Sequence, residues 1–254
     1  MPIPIGMERG LYIAATGMMS AMVRQDVIAN NLSNVSTVGF KRDGVVNETF
    51  ADSLLYKMQN GAEVMGTMNH GTRVAGTVTD FSQGKFRGTK APLDVAIGGD
   101  GFLCVRKTDG SVSYTRSGEF TRSPDGFLTT QAGEFILGPD NLPVYAGTDG
   151  DPVIRADGAV FGPGGDQLGQ IGISTLDIPA ATKVGQNLWT GTETGGMPQT
   201  TQIRQGFLEA SGVDSVKEMV EMITTMRSYE SNQRMITAID GTLDKAVNSV
   251  GTLG

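Results

Sequence analysis

Cysteine and histidine are nearly missing from this chain. Its 254 residues include one cysteine, Cys104, and one histidine, His70. A disulfide within the chain is impossible, and paired-cysteine or multi-histidine metal sites are excluded. A Ser-His-Asp site would have to use His70, and no nucleophile-elbow motif accompanies it. His70 stands between Asn69 and Gly71 and reads as a loop residue. Cys104 sits in the apolar run Phe102-Leu103-Cys104-Val105 and reads as a buried small hydrophobe. A basic cluster is lacking as well. Lys and Arg number 20 against 27 Asp and Glu, for a net charge of −7. A nucleic-acid partner is therefore not expected, because phosphate neutralisation needs a basic surface. No apolar run reaches the roughly 18 residues that cross a bilayer. The start, Met1-Pro2-Ile3-Pro4-Ile5-Gly6, has no basic region followed by an apolar core, so no cleaved secretory signal is expected.

Apolar residues make up 39% of the chain, and there are 36 glycines. That glycine share is about twice the average. The balance favours thin elements and many turns over one thick core. The stretch Phe161 to Gly169 is rich in glycine but lacks the Lys-Ser/Thr ending of a phosphate loop, so it reads as a hairpin loop. The carboxylates fall mostly in Asp-Gly turns or on exposed helix faces. No catalytic residue, cofactor site or metal site is expected, and the chain does not read as an enzyme.

What the chain does have is helical rhythm at both ends. From Met219 the series Met219, Met222, Met226, Tyr229, Gln233, Ile236, Asp240, Leu243, Val247, Val250 alternates steps of three and four. Only Gln233 and Asp240 are polar. Near the start, Leu11, Ala15, Met18, Met22, Gln25, Ala29 and Leu32 step in the same way. A repeat of 3.5 residues keeps one narrow helix face on a partner, as in a coiled coil. The spacing predicts helices over about 8–31 and 213–250, with Ser211 or Asp214 capping the second. Their lengths are roughly 36 and 57 Å at 1.5 Å per residue. The unequal lengths would leave apolar surface uncovered in a monomer, and other copies could cover it.

Between the helices the pattern changes. Residues 1–40 form the first helix and a loop rich in Asn and Ser. Residues 41–90 read as an extended connector, with a short helix possible over 50–58. Residues 91–190 read as an antiparallel β domain. Its strands are expected at 93–97, 102–105, 112–115, 127–130, 134–137, 153–154 and 171–176. Asp100-Gly101, Asp109-Gly110, Asp125-Gly126, Asp149-Gly150 and Asp157-Gly158 punctuate it. Asp-Gly supplies the positive φ that tight hairpin turns need. Residues 191–212 read as a link, and 213–254 as the C-terminal helix. The fold class is α+β: a coiled-coil core of two long terminal helices around an antiparallel, hairpin-rich, all-β middle.

Several stretches resemble the axial proteins of the bacterial flagellum, specifically the rod proteins of the basal body. Asp26-Val27-Ile28-Ala29-Asn30-Asn31-Leu32-Ser33-Asn34-Val35-Ser36-Thr37-Val38-Gly39-Phe40-Lys41 is similar to the rod signature almost letter for letter. Asp94, Gly101 and Phe102 lie in segments that resemble the family's entry into its β domain. Arg116 and Gly118 lie in the next. Gly206 and Glu209 precede the last helix, and Arg227 and Glu230 lie within it. Cys104 stands where the family has a bulky apolar residue. The asparagine-rich signature resembles the distal rod subunit, whereas the compact 50–90 region looks closer to the proximal one.

The resemblance implies a structural subunit of the rod, the driveshaft between motor and hook. It implies an inner core of terminal helices and an outward β domain. It also implies export through the flagellum's own secretion channel. The partners would be copies of itself, other rod and hook subunits, and the export apparatus. The assembly interface is expected at Leu11, Ala15, Met18, Met22, Ala29, Leu32, Met219, Met222, Met226, Tyr229, Ile236, Leu243 and Val247. The competing reading is a peptidoglycan- or sugar-active β protein with coiled-coil oligomerisation tails.

Overall fold

The structure, a computed structural model, describes residues 5–49, 53–57, 63–68, 71–185 and 187–251. His70 lies outside the described residues. The chain divides into two compact units. One joins the two terminal segments to residues 43–80, and the other comprises 34–42 and 81–213. The fold is α+β with a β-rich middle.

The first unit is built on two long helices, α1 (Ile5–Ser33) and α2 (Ser215–Gly251). Asp214 caps α2: its Oδ1 accepts the Val216 and Lys217 amides at 3.0 and 3.3 Å. Those donors have no partner inside the helix, and a carboxylate also suits the positive helix end. β1 (Asp43–Thr49) and β4 (Thr72–Thr79) pair antiparallel along their full length. β2 (Ser53–Lys57) and β3 (Glu63–Met68) form a second antiparallel pair. A helix expected over 50–58 is therefore corrected for residues 53–57, which are strand. Backbone pairing with Glu63–Met68 fixes that segment as strand and overrides a weak helical propensity.

The second unit is built of short strands in one larger sheet and several small ones. Its central strand is β5 (Phe102–Arg106), between β6 (Val112–Thr115) on one edge and two shorter strands on the other. Those two are Phe135–Ile136 and Ile173–Leu176. All described strand pairs are antiparallel. Successive residues of β5 point to opposite faces. Leu103 and Val105 enter one apolar cluster with Val95, Ile97, Leu128 and Ile136. Phe102 and Cys104 enter another with Tyr114, Leu137 and Trp189. Both faces are covered, which explains an unbroken apolar run where a half-exposed strand would alternate.

The glycines of all five Asp-Gly pairs have φ between 67° and 121°. Around Gly110, Gly126 and Gly158 the geometry repeats. The glycine amide bonds the carbonyl three residues back, and that residue's own amide bonds the carbonyl four ahead. These are three-residue hairpin loops in which only the glycine needs the left-handed region. The Gly162–Asp166 loop closes in the same way, so the glycine-rich stretch is a hairpin.

Residues 191–212 are not a bare link. Glu193–Gly195 pairs with Ile173–Leu176, and Gln202–Gln205 pairs with Val95–Gly98. Phe207–Glu209 pairs with Phe86–Gly88. Backbone pairing holds this polar segment, and Thr201 and Ile203 are buried within it.

Candidate assembly surface

Where the two helices of the first unit touch, α1 presents glycines to larger side chains of α2. A Cβ on Gly10 would lie 3.2 Å from Ile239 Cδ1, and one on Gly17 would lie 2.8 Å from Asn232 Nδ2. Asn31 meets Glu218. In each contact the two residue numbers add to 249, so the helices run antiparallel and recur in step every seven or fourteen residues. Ala14, Ala21 and Ile28 complete the buried face of α1. Small side chains let the backbones approach, and close approach increases dispersion contact. Beside Gly17 and Ala21 the polar residues Ser20, Arg24, Thr224, Thr225 and Ser228 line a groove of about 340 Å³.

The seam expected on α1 is displaced by one residue. The rhythm of fours and threes is present, but the residues turned to α2 are Gly10, Ala14, Gly17, Ala21, Ile28 and Asn31. Leu11, Met22 and Ala29 are exposed, while Ala15, Met18 and Leu32 are half-buried. On α2 half of the expected stripe faces inward. Met222, Tyr229, Ile236 and Leu243 are half-buried, alternating with Glu218, Thr225, Asn232 and Ile239. Met219 and Met226 are exposed, as are Gln233 and Asp240. The side chain of Val247 lies outside the described residues. Length is not what leaves apolar surface open. In the observed register Ile5 stands level with Asp244, so α2 outruns α1 by only about 10 Å. Direction leaves it open, because the large residues point away from the seam. Met19 is 67% exposed and Val216 is 70% exposed.

Asn31 closes one end of the helix pair. Its Nδ2 donates to the Asp43 carbonyl at 2.8 Å and to Glu218 Oε2 at 3.3 Å. Its Oδ1 accepts the Asp43 amide at 3.0 Å. Asn31 and Glu218 are both fully buried, so these bonds replace those lost to water. Asn34 acts locally: its Oδ1 accepts from Thr37 Oγ1 at 3.1 Å. Asn30 is exposed.

In the second unit the rest of the signature meets the chain's return. Gly39 has φ 67° and donates its amide to the Glu209 carbonyl at 2.8 Å. A Cβ there would fall 2.5 Å from the Arg116 carbonyl. Lys41 Nζ donates to Glu209 Oε1 at 2.7 Å and to the Ser82 carbonyl at 2.8 Å. Arg116 stands 3.5 Å from the other Glu209 oxygen and lies over the Phe102 ring. Lys41 and Glu209 are each 1% exposed. Burial lowers the pKa of the Arg116 guanidinium, and the charges of Glu209 and Asp100 oppose that. Gly118 has no room for a side chain, since a Cβ would lie 1.8 Å from the Val95 carbonyl oxygen. At Gly101 it would strike Ile173 at 2.5 Å. Phe40 and Asp94 are buried, and Gly206 has φ 75° and donates to the Asp94 carbonyl. Arg227 and Glu230 are exposed on α2 and, among the described residues, join no cluster apart from a loose Glu230–Arg234 pair. Sequence reasoning passed over Lys41 and Glu218 as site residues. Lys41 carries a signal, a charge directly after Val38-Gly39-Phe40, whereas Glu218 lies among other charged residues and carries none.

Three family models match. "Flagella basal body rod protein" covers residues 11–41, "Flagellar hook protein FlgE/F/G D1 domain" covers 96–180, and "Flagellar basal body rod FlgEFG protein C-terminal" covers 204–249. None of these three descriptions names a sugar- or peptidoglycan-active protein, so that alternative gains no support. The flagellar basal-body rod protein FlgG of Borreliella burgdorferi is 37% identical, over 95% of this chain and 98% of its own length. FlgG of Bacillus subtilis is 35% identical, over 95% and 99%. FlgF of Caulobacter vibrioides is 32% identical, over 98% and 99%. With the signature loop locked at Glu209 and likeness running almost end to end, the chain belongs to the flagellar basal-body rod protein family.

Proposed function

We propose that this structural rod subunit assembles helically through α1 and α2, which form a coiled-coil core once other chains join them. In that core the helices transmit torque from motor to hook and line the export channel. The subunit reaches its place through the flagellar export apparatus and works by assembly, without turnover. The observation that carries this reading is the direction of the large apolar side chains. Gly10, Ala14, Gly17 and Ala21 make the internal seam, while Leu11, Met19, Met22, Met219 and Met226 are turned to solvent. Exposed apolar bands of this kind mark interaction surfaces.

Met226→Asp tests it. The residue is exposed, so the fold of the single chain should survive, but a charge would be forced into the apolar contact. Basal bodies should lack complete rods and cells should not swim. Normal swimming would overturn the assignment. Peptidoglycan clearing in zymography, abolished by one carboxylate substitution, would favour the sugar-active reading instead.

A further inference from the structure

We propose that α1 of one copy lies antiparallel along α2 of a second copy, in a register where the paired residue numbers add to 238. This deepens the assembly reading above and rests on it. On α1, Tyr12, Ala15, Met18, Met19 and Met22 fall within about 120° of helix circumference. On α2, Val216, Met219, Val220, Ile223 and Met226 fall within about 120° as well. Both bands lie on the side of their helix away from the internal seam, so they occupy opposite sides of the helix pair.

The two bands share one spacing, read in opposite directions. From Val216 forward, α2 advances by 3, 1, 3 and 3 residues; from Met22 backward, α1 advances by 3, 1, 3 and 3. Laid antiparallel, Met22 meets Val216, Met19 meets Met219, Met18 meets Val220, Ala15 meets Ile223 and Tyr12 meets Met226. The smallest residue, Ala15, stands opposite branched Ile223, which evens the bulk. One chain cannot make this contact with itself. Its own helices are registered at 249, eleven residues or about 16 Å out of step, and the bands face apart.

Each band leaves on the order of 500 Å² open, so mutual cover removes about 1,000 Å², near the lower limit for a specific interface. A lone pair of copies should bind weakly. Using one band leaves the other free, so the contact is head-to-tail and repeats into an open array.

Disulfide cross-linking in purified basal bodies tests the register. In a Cys104→Ser background, Met19→Cys with Met219→Cys should give a ladder of covalent multimers on oxidation. Met19→Cys with Met226→Cys, seven residues out of register, should remain monomeric. Should the first pair block assembly, Ala15→Cys with Ile223→Cys reads the same register. If basal bodies contain the variant and cells swim, yet the matched pair gives no ladder, the register is wrong and the rod reading stands. A ladder from the mismatched pair has the same meaning. Cross-links to a different flagellar chain would overturn the choice of a second copy. A wild-type protein absent from basal bodies would overturn the rod reading first.

Discussion

The two units treat their large apolar side chains in opposite ways. In the β unit Trp189, Leu103, Leu128, Ile136 and Leu137 are fully enclosed, and even Lys41 and Glu209 are shut in together. In the helical unit the enclosed side chains are Ala14, Ala21 and Ile28 with polar groups such as Thr16, Ser20, Asn31 and Glu218, while Leu11, Tyr12, Met19, Met22, Met219 and Met226 face water. The β unit is finished within one chain. On the proposed assembly reading, the helical unit is finished only when other chains cover it. The same substitution chemistry should therefore have different consequences in each. Changes in the β unit should lower stability, whereas outward changes in the helices should leave stability alone and cost assembly.

The largest effect should come from Gly118→Ala. Its Cβ would enter the Val95 carbonyl, and backbone cannot step aside as a side-chain tip can. The β unit should fail to fold, read as loss of near-ultraviolet circular dichroism. Gly110→Ala is the control: it meets nothing within 4 Å and pays only for its positive φ, about 1–2 kcal/mol. Glu209→Ala comes next. It strands Lys41 and Arg116 in the interior, and breaking such a pair costs about 3–5 kcal/mol in denaturant unfolding. Asn31→Ala removes the bonds to Asp43 and Glu218 and should cost about 1–3 kcal/mol, within the helical unit. Ile236→Asp should also destabilise the monomer, because Ile236 is half-buried on the inner face. Met226→Asp should not, and a monomer destabilised by more than about 0.5 kcal/mol would blur the contrast.

Smallest of all, Asp125→Asn should be silent in stability and motility, since the turn needs only Gly126 at positive φ. The Cys104 thiol gives a probe without mutation. Burial raises its pKa, so less thiolate is present at any pH than in the unfolded chain. Alkylation at pH 8 should stay slow until denaturant opens the β unit.

The sequence made the helical rhythm readable and hid its phase. α1 carries two stripes side by side, one small and one large. Hydropathy ranks Leu11 and Met22 above Gly10 and Gly17, so the large stripe read as the internal seam. Glycine's value there is the absence of a side chain, which no apolar pattern records. The Asp-Gly turns were legible because positive φ is a local demand. The strands from Glu193 to Glu209 were not, because Thr, Gln and Gly become strand there only by pairing with distant segments such as Val95–Gly98. The Lys41–Glu209 bond spans 168 residues, and no window along the chain joins its ends.

Hydroxyl-radical oxidation of methionine, compared between the secreted monomer and purified rods, tests the central claim most directly. Met19, Met219 and Met226 should oxidise readily in the monomer and be protected in rods, while Met222, turned towards α1, should change least. Equal oxidation of those three outward methionines in monomer and rod would contradict the account.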